Sequence, residues 1–155
     1  MEKTGRDHPN SRVIAHFTSE FMLRAAANIG AYFAHDYEVV ILFLAVLTRT
    51  GQNVMSDPKL RERFASYAVP IPDEYSTPVS RLALSRSTGL PRETVRRKVA
   101  RMIEQGFLIE DTRGGLRVPS VLTEDENLLA TMEPQLPNLR RLLVLLNNMG
   151  ALDSA

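Results

Sequence analysis

The sequence lacks cysteine and tryptophan altogether, and aromatic residues make up only 6% of its 155 positions. Without cysteine there are no disulfides and no thiolate metal sites, and a reducing cytoplasm is the expected compartment. The scarcity of aromatic residues favours an aliphatic, helix-rich core over a β-sandwich. With 44% apolar and 24% charged residues, the composition predicts a cytoplasmic globular protein of one domain.

Long apolar runs are also missing. The longest, VVILFLAVL at 39–47, falls far short of the roughly 20 residues needed to span a bilayer. The polar start MEKTGRDHPNSR has no apolar segment of the kind found in signal peptides. We therefore expect no membrane segment, and we interpret the run 39–47 as a helix buried at the centre of the fold.

The sequence carries none of the motifs that mark the common enzyme classes. It has no G-x-S-x-G, no glycine-rich phosphate loop and no Cys/His pair. Among the histidines, His35 is followed by a carboxylate, Asp36, and that pair is more typical of a helix boundary than of a metal site. We predict that the chain is not an enzyme, with no catalytic residues, no metal site and no cofactor.

Helical periodicity and chain-breaking residues divide the chain into four segments of one compact domain. Residues 1–10 are expected to be disordered, 11–78 to form N-terminal helices and a Pro-rich loop, 79–119 to form the functional motif, and 120–155 to form C-terminal helices.

Capping signals place the elements of the second segment. A long helix begins it, and Asp36 is expected to cap the next helix, which Gly51 ends as a C-terminal glycine. Asp57, followed by a proline, predicts the start of a short helix that reaches about Ala68. The three prolines of VPIPDEYSTP, 69–78, predict a loop.

The last segment is unusually apolar. It predicts a short helix near 124–132, a break at Pro134 and Pro137, and then the helix NLRRLLVLLNNMGAL. This helix and the N-terminal one, with Phe17 and Phe21, carry more apolar groups than one face can hold, and a monomer would expose them. We predict a homodimer through these helices, while packing within one chain stays open as the alternative.

Positive charge is concentrated in the third segment. Between positions 79 and 118, nine basic residues stand against four acidic ones, a balance of +5 (9 − 4), so the rest of the chain carries −4 (+1 − 5). Such segregation predicts a surface that binds a polyanion. A solvated helix face is the alternative.

Local signals in the third segment predict two helices joined by a sharp turn. Ser80 caps the first helix, Gly89 supplies a positive φ, Leu90 fills the angle, and a proline opens the second helix over 91–105. The stretch FLIEDTRGGLRVP then predicts a β-hairpin over about 107–118. This order is the helix-turn-helix plan, in which the second helix enters the DNA major groove.

The second helix separates its apolar residues from its cations. Val99, Met102 and Ile103 fall within about 80° of Val95 on a helical wheel. The opposite face holds Glu93, Thr94, Arg97 and Arg101, with Arg92 and Arg96 on its flank.

The stretch LSRSTGLPRETVRRKVARMIEQGFL resembles the winged helix-turn-helix of bacterial transcriptional regulators, nearest to GntR-type and IclR-type domains. The arrangement of helices before and after it is similar to that of MarR-type proteins. The resemblance implies a mainly α fold with a small β-hairpin wing and flanking helices at both ends. It also implies DNA contacts at Arg92, Thr94 and Arg96.

The positions of other residues in the predicted elements add them to the candidate DNA contacts. Arg97 follows from the wheel, and Arg113 lies at the tip of the wing, within reach of a phosphate or the minor groove. Two roles are open for Glu93: it contacts a cytosine amino group, or its negative charge in the first helical turn interacts favourably with the helix dipole. The candidate DNA-binding residues are Ser80, Arg92, Glu93, Thr94, Arg96, Arg97, Arg101 and Arg113. For Arg86 and Lys98 we expect solvation or nonspecific phosphate contact.

Two functions therefore stand as hypotheses. The first is a sequence-specific, DNA-binding transcriptional regulator that binds double-stranded DNA as a homodimer. The second is a winged-helix module that binds a protein or RNA without reading DNA sequence. A small-molecule effector is a further expectation, with the loop 69–78 as one wall of its site.

Overall fold

The computed structural model describes residues 9–152 and is mainly helical, with one small antiparallel sheet, as the sequence predicts. The disorder expected for residues 1–8 lies outside the described residues, whereas Pro9 and Asn10 form a turn before the first helix. The elements are α1 (Ser11–Tyr32), α2 (Tyr37–Thr50), α3 (Gln52–Ser56), α4 (Pro58–Arg63), α5 (Arg81–Thr88), α6 (Arg92–Glu104), β1 (Ile109–Glu110), β2 (Leu116–Arg117), α7 (Glu126–Met132) and α8 (Gln135–Asn148).

The break between α1 and α2 is a strained turn. Ala34 and His35 have φ values of 49° and 59°, in the left-handed region that non-glycine residues rarely adopt. Asp36 then caps α2 by accepting a hydrogen bond from the Val39 N–H at 3.3 Å, as predicted. Within residues 9–152 no single helix is long and apolar enough to cross a bilayer, and α1 and α2 meet that criterion only as a pair bent by 96°.

Helix α2 is the central element of the core. Leu42, Phe43 and Val46 are fully buried, and α2 packs against α5, α6 and β2. Its burial is not complete, however, because Ile41 and Leu44 on its outer edge are exposed. The expected central helix is therefore found, with one apolar edge at the surface.

Helix α2 ends at Gly51 as predicted, but the region after it differs from the prediction in two ways. Gly51 has φ −83°, an ordinary right-handed conformation, and the short helix α3 follows it at once. Helix α4 begins at Asp57-Pro58 as expected but ends at Arg63, well before Ala68. The reason is local: the Ser66 hydroxyl accepts a hydrogen bond from the Ala68 N–H at 3.2 Å, which favours a turn over a further helical turn.

The C-terminal helices form an outer layer with α1. Helix α7 packs on α1, and so does α8. The predicted break at Pro137 is wrong, because Pro137 is the third residue of α8. Helix α8 begins at Gln135, after Pro134. A proline is tolerated there, since the first four N–H groups of a helix have no partner within it.

The small sheet connects the beginning and the end of the basic segment, residues 79–119. Strands β1 and β2 pair antiparallel, with Ile109 opposite Arg117 and Glu110 opposite Leu116. Val79, just before α5, forms a further antiparallel bridge to Leu116, with N–H to carbonyl distances of 2.8 and 2.9 Å. The start of α5 and the hairpin are thereby held together, and α6 lies between them in sequence.

Candidate nucleic-acid interface

The turn between α5 and α6 is built by local hydrogen bonds. Ser80 caps α5 by accepting from the Ala83 N–H at 3.1 Å, and Gly89 has the positive φ, 73°, that the sequence predicts. The Ser85 hydroxyl donates to the Leu90 carbonyl at 2.7 Å, and the half-buried Leu90 packs against the core. Pro91 precedes α6 as its N-cap, one residue earlier than expected. The two helices are therefore held at a defined angle.

Helix α6 has the two faces that the wheel predicts. Val95, Val99 and Met102 are buried, and Ile103 is half-buried against them. On the other side, the candidates Arg92, Glu93, Arg96, Arg97 and Arg101 are exposed, and Thr94 is half-buried. The structure therefore brings six of the eight candidate residues together on one helix.

The basic residues of the segment divide into two groups. Four of the nine make ion pairs: Arg81 with Glu110, Arg96 with Glu93, Lys98 with Asp36 and Glu38, and Arg117 with Asp73. The other five make no ion pair with a described residue and are all exposed: Arg86, Arg92, Arg97, Arg101 and Arg113. Three of these five lie on α6, so its outer side carries guanidinium groups that are available to a ligand.

Glu93 pairs with its neighbour one turn on. Its carboxylate accepts from the Arg96 Nη2 at 2.6 Å and from the Arg96 Nε at 2.9 Å. This hydrogen bonding lowers the pKa of Glu93, so the carboxylate is charged at neutral pH. Both side chains are about two-thirds exposed or more. A bidentate pair of this kind orients the guanidinium but leaves it at the surface.

Lys98 is not the solvated residue that we expect from the sequence. Its side chain is only 12% exposed, and its ammonium group pairs with Asp36 and, at 3.3 Å, with Glu38. Partial burial acts to raise the pKa of Asp36, but hydrogen bonds from Lys98 and from the Val39 N–H hold it below its ordinary value. Lys98 therefore joins α6 to the start of α2 and does not take part in an exposed cationic surface.

The hairpin presents Arg113 on a turn that Asp111 organises. The Asp111 Oδ1 accepts from the N–H groups of Gly115 and Arg113, both at 2.8 Å, and these bonds lower the pKa of Asp111. Gly114 has φ 78°, and a Cβ on Gly115 would lie 2.7 Å from the Cβ of Pro78. The glycine pair is thus required by the turn, and Arg113 is exposed at its tip.

A second ion pair fixes the hairpin to α5. Arg81 donates to both carboxylate oxygens of Glu110, at 2.6 and 2.9 Å, across 29 positions of sequence. This pairing lowers the pKa of Glu110 and raises that of Arg81. Together with the Val79–Leu116 bridge, it sets the position of β1 and β2 relative to the helices.

Two candidates lie apart from α6. Ser80 is exposed, but its hydroxyl is engaged in capping α5, and Arg113 belongs to the hairpin. Within residues 9–152, neither makes a hydrogen bond or an ion pair with an α6 side chain. In the same part of the chain, no cluster of three or more His, Asp or Glu side chains could hold a metal ion.

Sequence reasoning missed the two ion pairs that position the site. One signal for Lys98 was present: it lies about 60° from Val95 on the wheel, at the edge of the buried stripe. The Arg81–Glu110 pair has no such signal, because its partners meet only once the hairpin is folded. Comparison of the chain with models of protein families, with curated proteins and with solved structures found no match.

Proposed function

We propose that the chain is a winged helix-turn-helix protein that binds double-stranded DNA in a sequence-specific manner and regulates transcription. In this proposal α6 enters the major groove, and the β1–β2 hairpin is the wing that contacts the backbone or the minor groove. The observation that carries it is the outer side of α6, where Arg92, Arg97 and Arg101 are exposed without a carboxylate partner among residues 9–152, opposite the buried side that contains Val95, Val99 and Met102.

The chemistry of this side suits a duplex. Guanidinium groups pair with phosphates and read guanine edges in the major groove, and a helix of α6's width fits that groove. Thr94 and Glu93 at the start of α6 are of the type that reads bases or orients a neighbouring arginine. The positions of Arg113 on the hairpin and Arg86 on α5 add cationic groups outside α6.

We further propose that the protein acts as a homodimer through α8. Leu136, Leu139 and Leu143, which we name the leucine stripe, recur at three- and four-residue steps on α8 and are all exposed. On α1, Met22 and Leu23 are exposed as well. An isologous dimer would cover such surfaces and pair two copies of α6, giving a palindromic site with half-sites about one helical turn apart.

Selection of bound duplexes from a random pool, followed by fluorescence polarisation, tests the proposal. We expect an enriched palindrome whose affinity falls steeply as salt rises, since arginine–phosphate contacts release counterions. An RNA duplex of the same sequence should compete poorly, because its major groove is too narrow to admit a helix. Enrichment of no sequence, with preferential binding of RNA or protein, would favour the alternative interaction module.

One variant pair assigns the binding to α6. Arg97→Ala should weaken duplex binding by about 1–3 kcal/mol. Lys59→Ala removes one positive charge from the exposed surface of α4 and should leave the affinity nearly unchanged. Equal losses of affinity in the two variants would mean that duplex binding depends only on net charge, and that α6 is not the helix that contacts the bases.

A further inference from the structure

A cavity of about 340 Å³ lies outside the proposed duplex-binding surface. Its walls come from the end of α2, from the segment 51–76 and from the residues that follow β2, including Val118 and Pro119. Its volume is within the range of about 300–1,000 Å³ that small-molecule sites occupy. The cavity is therefore large enough for an organic molecule, and not merely for a few waters.

The lining is apolar and carries almost no charge. Leu47, Phe64, Ile71 and Val118 contribute aliphatic and aromatic surface. Asp73 is the sole charged side chain among the described residues of the lining, and it is paired with Arg117 of β2. The site therefore offers no unpaired cation to an anionic ligand, and a charged ligand would lose its hydration without compensation.

Apolar groups around the cavity remain uncovered. Met55, Tyr67 and Val69 line it and are each between 42% and 59% exposed, although they belong to a segment folded against the core. The half-buried Ser76 also lines it, and its hydroxyl makes no hydrogen bond to a described residue. A bound molecule with apolar surface and one hydrogen-bonding group would cover the exposed apolar side chains and pair with the Ser76 hydroxyl.

We infer that this cavity is a binding site for an uncharged, largely apolar small molecule. The site is separate from the outer side of α6, and the inference does not depend on duplex binding.

The test titrates the full chain, without DNA, with N-phenyl-1-naphthylamine, an uncharged probe that fluoresces in apolar surroundings. We expect saturable binding of one probe per chain. The sulfonated analogue 8-anilino-1-naphthalenesulfonate has a similar ring system and a negative charge, and it should bind at least tenfold more weakly. Absence of saturable binding, or equal binding of the two probes, would overturn the inference.

Two variants locate the probe. Gly51 lines the cavity, has an ordinary φ, and an added Cβ would have no neighbour closer than the Leu47 carbonyl at 3.7 Å. Gly51→Leu should therefore fold, occupy cavity volume and weaken probe binding at least tenfold. Asn53→Leu adds the same side chain to an exposed position of α3 outside the lining and should leave binding unchanged.

A third variant tests the same cavity with a substitution outside the helices. Val69→Asp changes an exposed residue of the loop and places a carboxylate on the wall, so it should also weaken binding at least tenfold without unfolding the chain. Circular dichroism checks the fold of each variant. If folded Val69→Asp or Gly51→Leu binds the probe as the original chain does, or if Asn53→Leu loses binding equally, the probe occupies another surface and the inference is wrong.

Discussion

Helices α6 and α8 are nearly equal in length, 13 and 14 residues, yet they meet the rest of the molecule in opposite ways. Helix α6 buries Val95, Val99 and Met102 and exposes its arginines. Within the described part of the chain, α8 buries no residue, and its leucine stripe faces outward. The apolar side of α6 is covered by other parts of the same chain. The leucine stripe of α8 is left for a second apolar surface to cover, as in the proposed dimer.

The comparison predicts unequal costs for similar truncations. Met102→Ala, at a position with no exposed surface, should lower the free energy of unfolding by about 2–5 kcal/mol because it leaves a cavity in the core. Leu143→Ala, at a side chain 46% exposed, should cost less than about 1 kcal/mol in dilute solution. Urea unfolding at low protein concentration measures the loss of unfolding free energy in each variant. Equal losses would contradict the view that α6 is buried on its apolar side and α8 is not.

A charge on the leucine stripe should act on association and not on the single chain. Leu143→Glu should raise the dimer dissociation constant at least tenfold, about 1.4 kcal/mol, since a carboxylate in an apolar interface loses its hydration. Asn148→Glu lies about 140° further round α8 and is the matched control. Sedimentation velocity across a concentration series measures the change. A chain that is monomeric before any substitution would exclude the proposed dimer.

The contrast between the two helices could be predicted from the sequence because its signals are local. The cap at Ser80, the positive φ of Gly89 and the spacing of the apolar residues on α6 depend on neighbours a few positions away. The Ser66 hydroxyl, which accepts from the Ala68 N–H beyond the end of α4, is also a local signal, but it opposes the helix that the sequence predicts as far as Ala68. Such close competition is where sequence reasoning fails.

Other features required the folded chain. Lys98 meets Asp36 across 62 positions, and Val79 meets Leu116 through a sheet that exists only when the hairpin is in place. The cavity depends on how the segment after Gly51 lies against α2 and the residues after β2. No local sequence pattern identifies the partners in these contacts, because each contact depends on how already formed elements pack together.

The ion pair of Lys98 offers a way to loosen α6 from the rest of the core. Asp36→Asn keeps a good N-cap for α2 but leaves Lys98 with only the longer contact to Glu38. We expect a loss of about 1–2 kcal/mol in unfolding free energy near neutral pH. Glu38→Gln, which removes the more exposed partner, should cost less.

The pH dependence of this loss has a definite sign. Because the pKa of Asp36 is lowered in the folded chain, its stabilisation is present above the ordinary carboxyl pKa and disappears as pH falls through the folded value. The difference between the original chain and Asp36→Asn should therefore shrink on acidification. A difference that is constant with pH would show that the carboxylate charge is not what Lys98 requires.

The smallest expected effect concerns the attachment of the outer layer, which the leucine stripe belongs to. The Tyr32 hydroxyl on α1 donates to Asp125 at 2.8 Å, and Asp125 caps α7 by accepting from the N–H groups of Asn127 and Leu128. Burial, and then the bond to Asp125, raises the pKa of Tyr32 to about 12. Tyr32→Phe should therefore cost about 0.5–1.5 kcal/mol at neutral pH.

The alkaline dependence separates this bond from simple packing. A raised folded pKa gives stabilisation that is complete below the ordinary value near 10 and is lost as pH rises toward about 12. The gap in unfolding free energy between the original chain and Tyr32→Phe should narrow over that interval. Tyr67→Phe, at an exposed tyrosine on another segment, is the control and should show no gap at neutral pH. If the Tyr32→Phe gap stays constant with pH, the phenol contributes through packing alone.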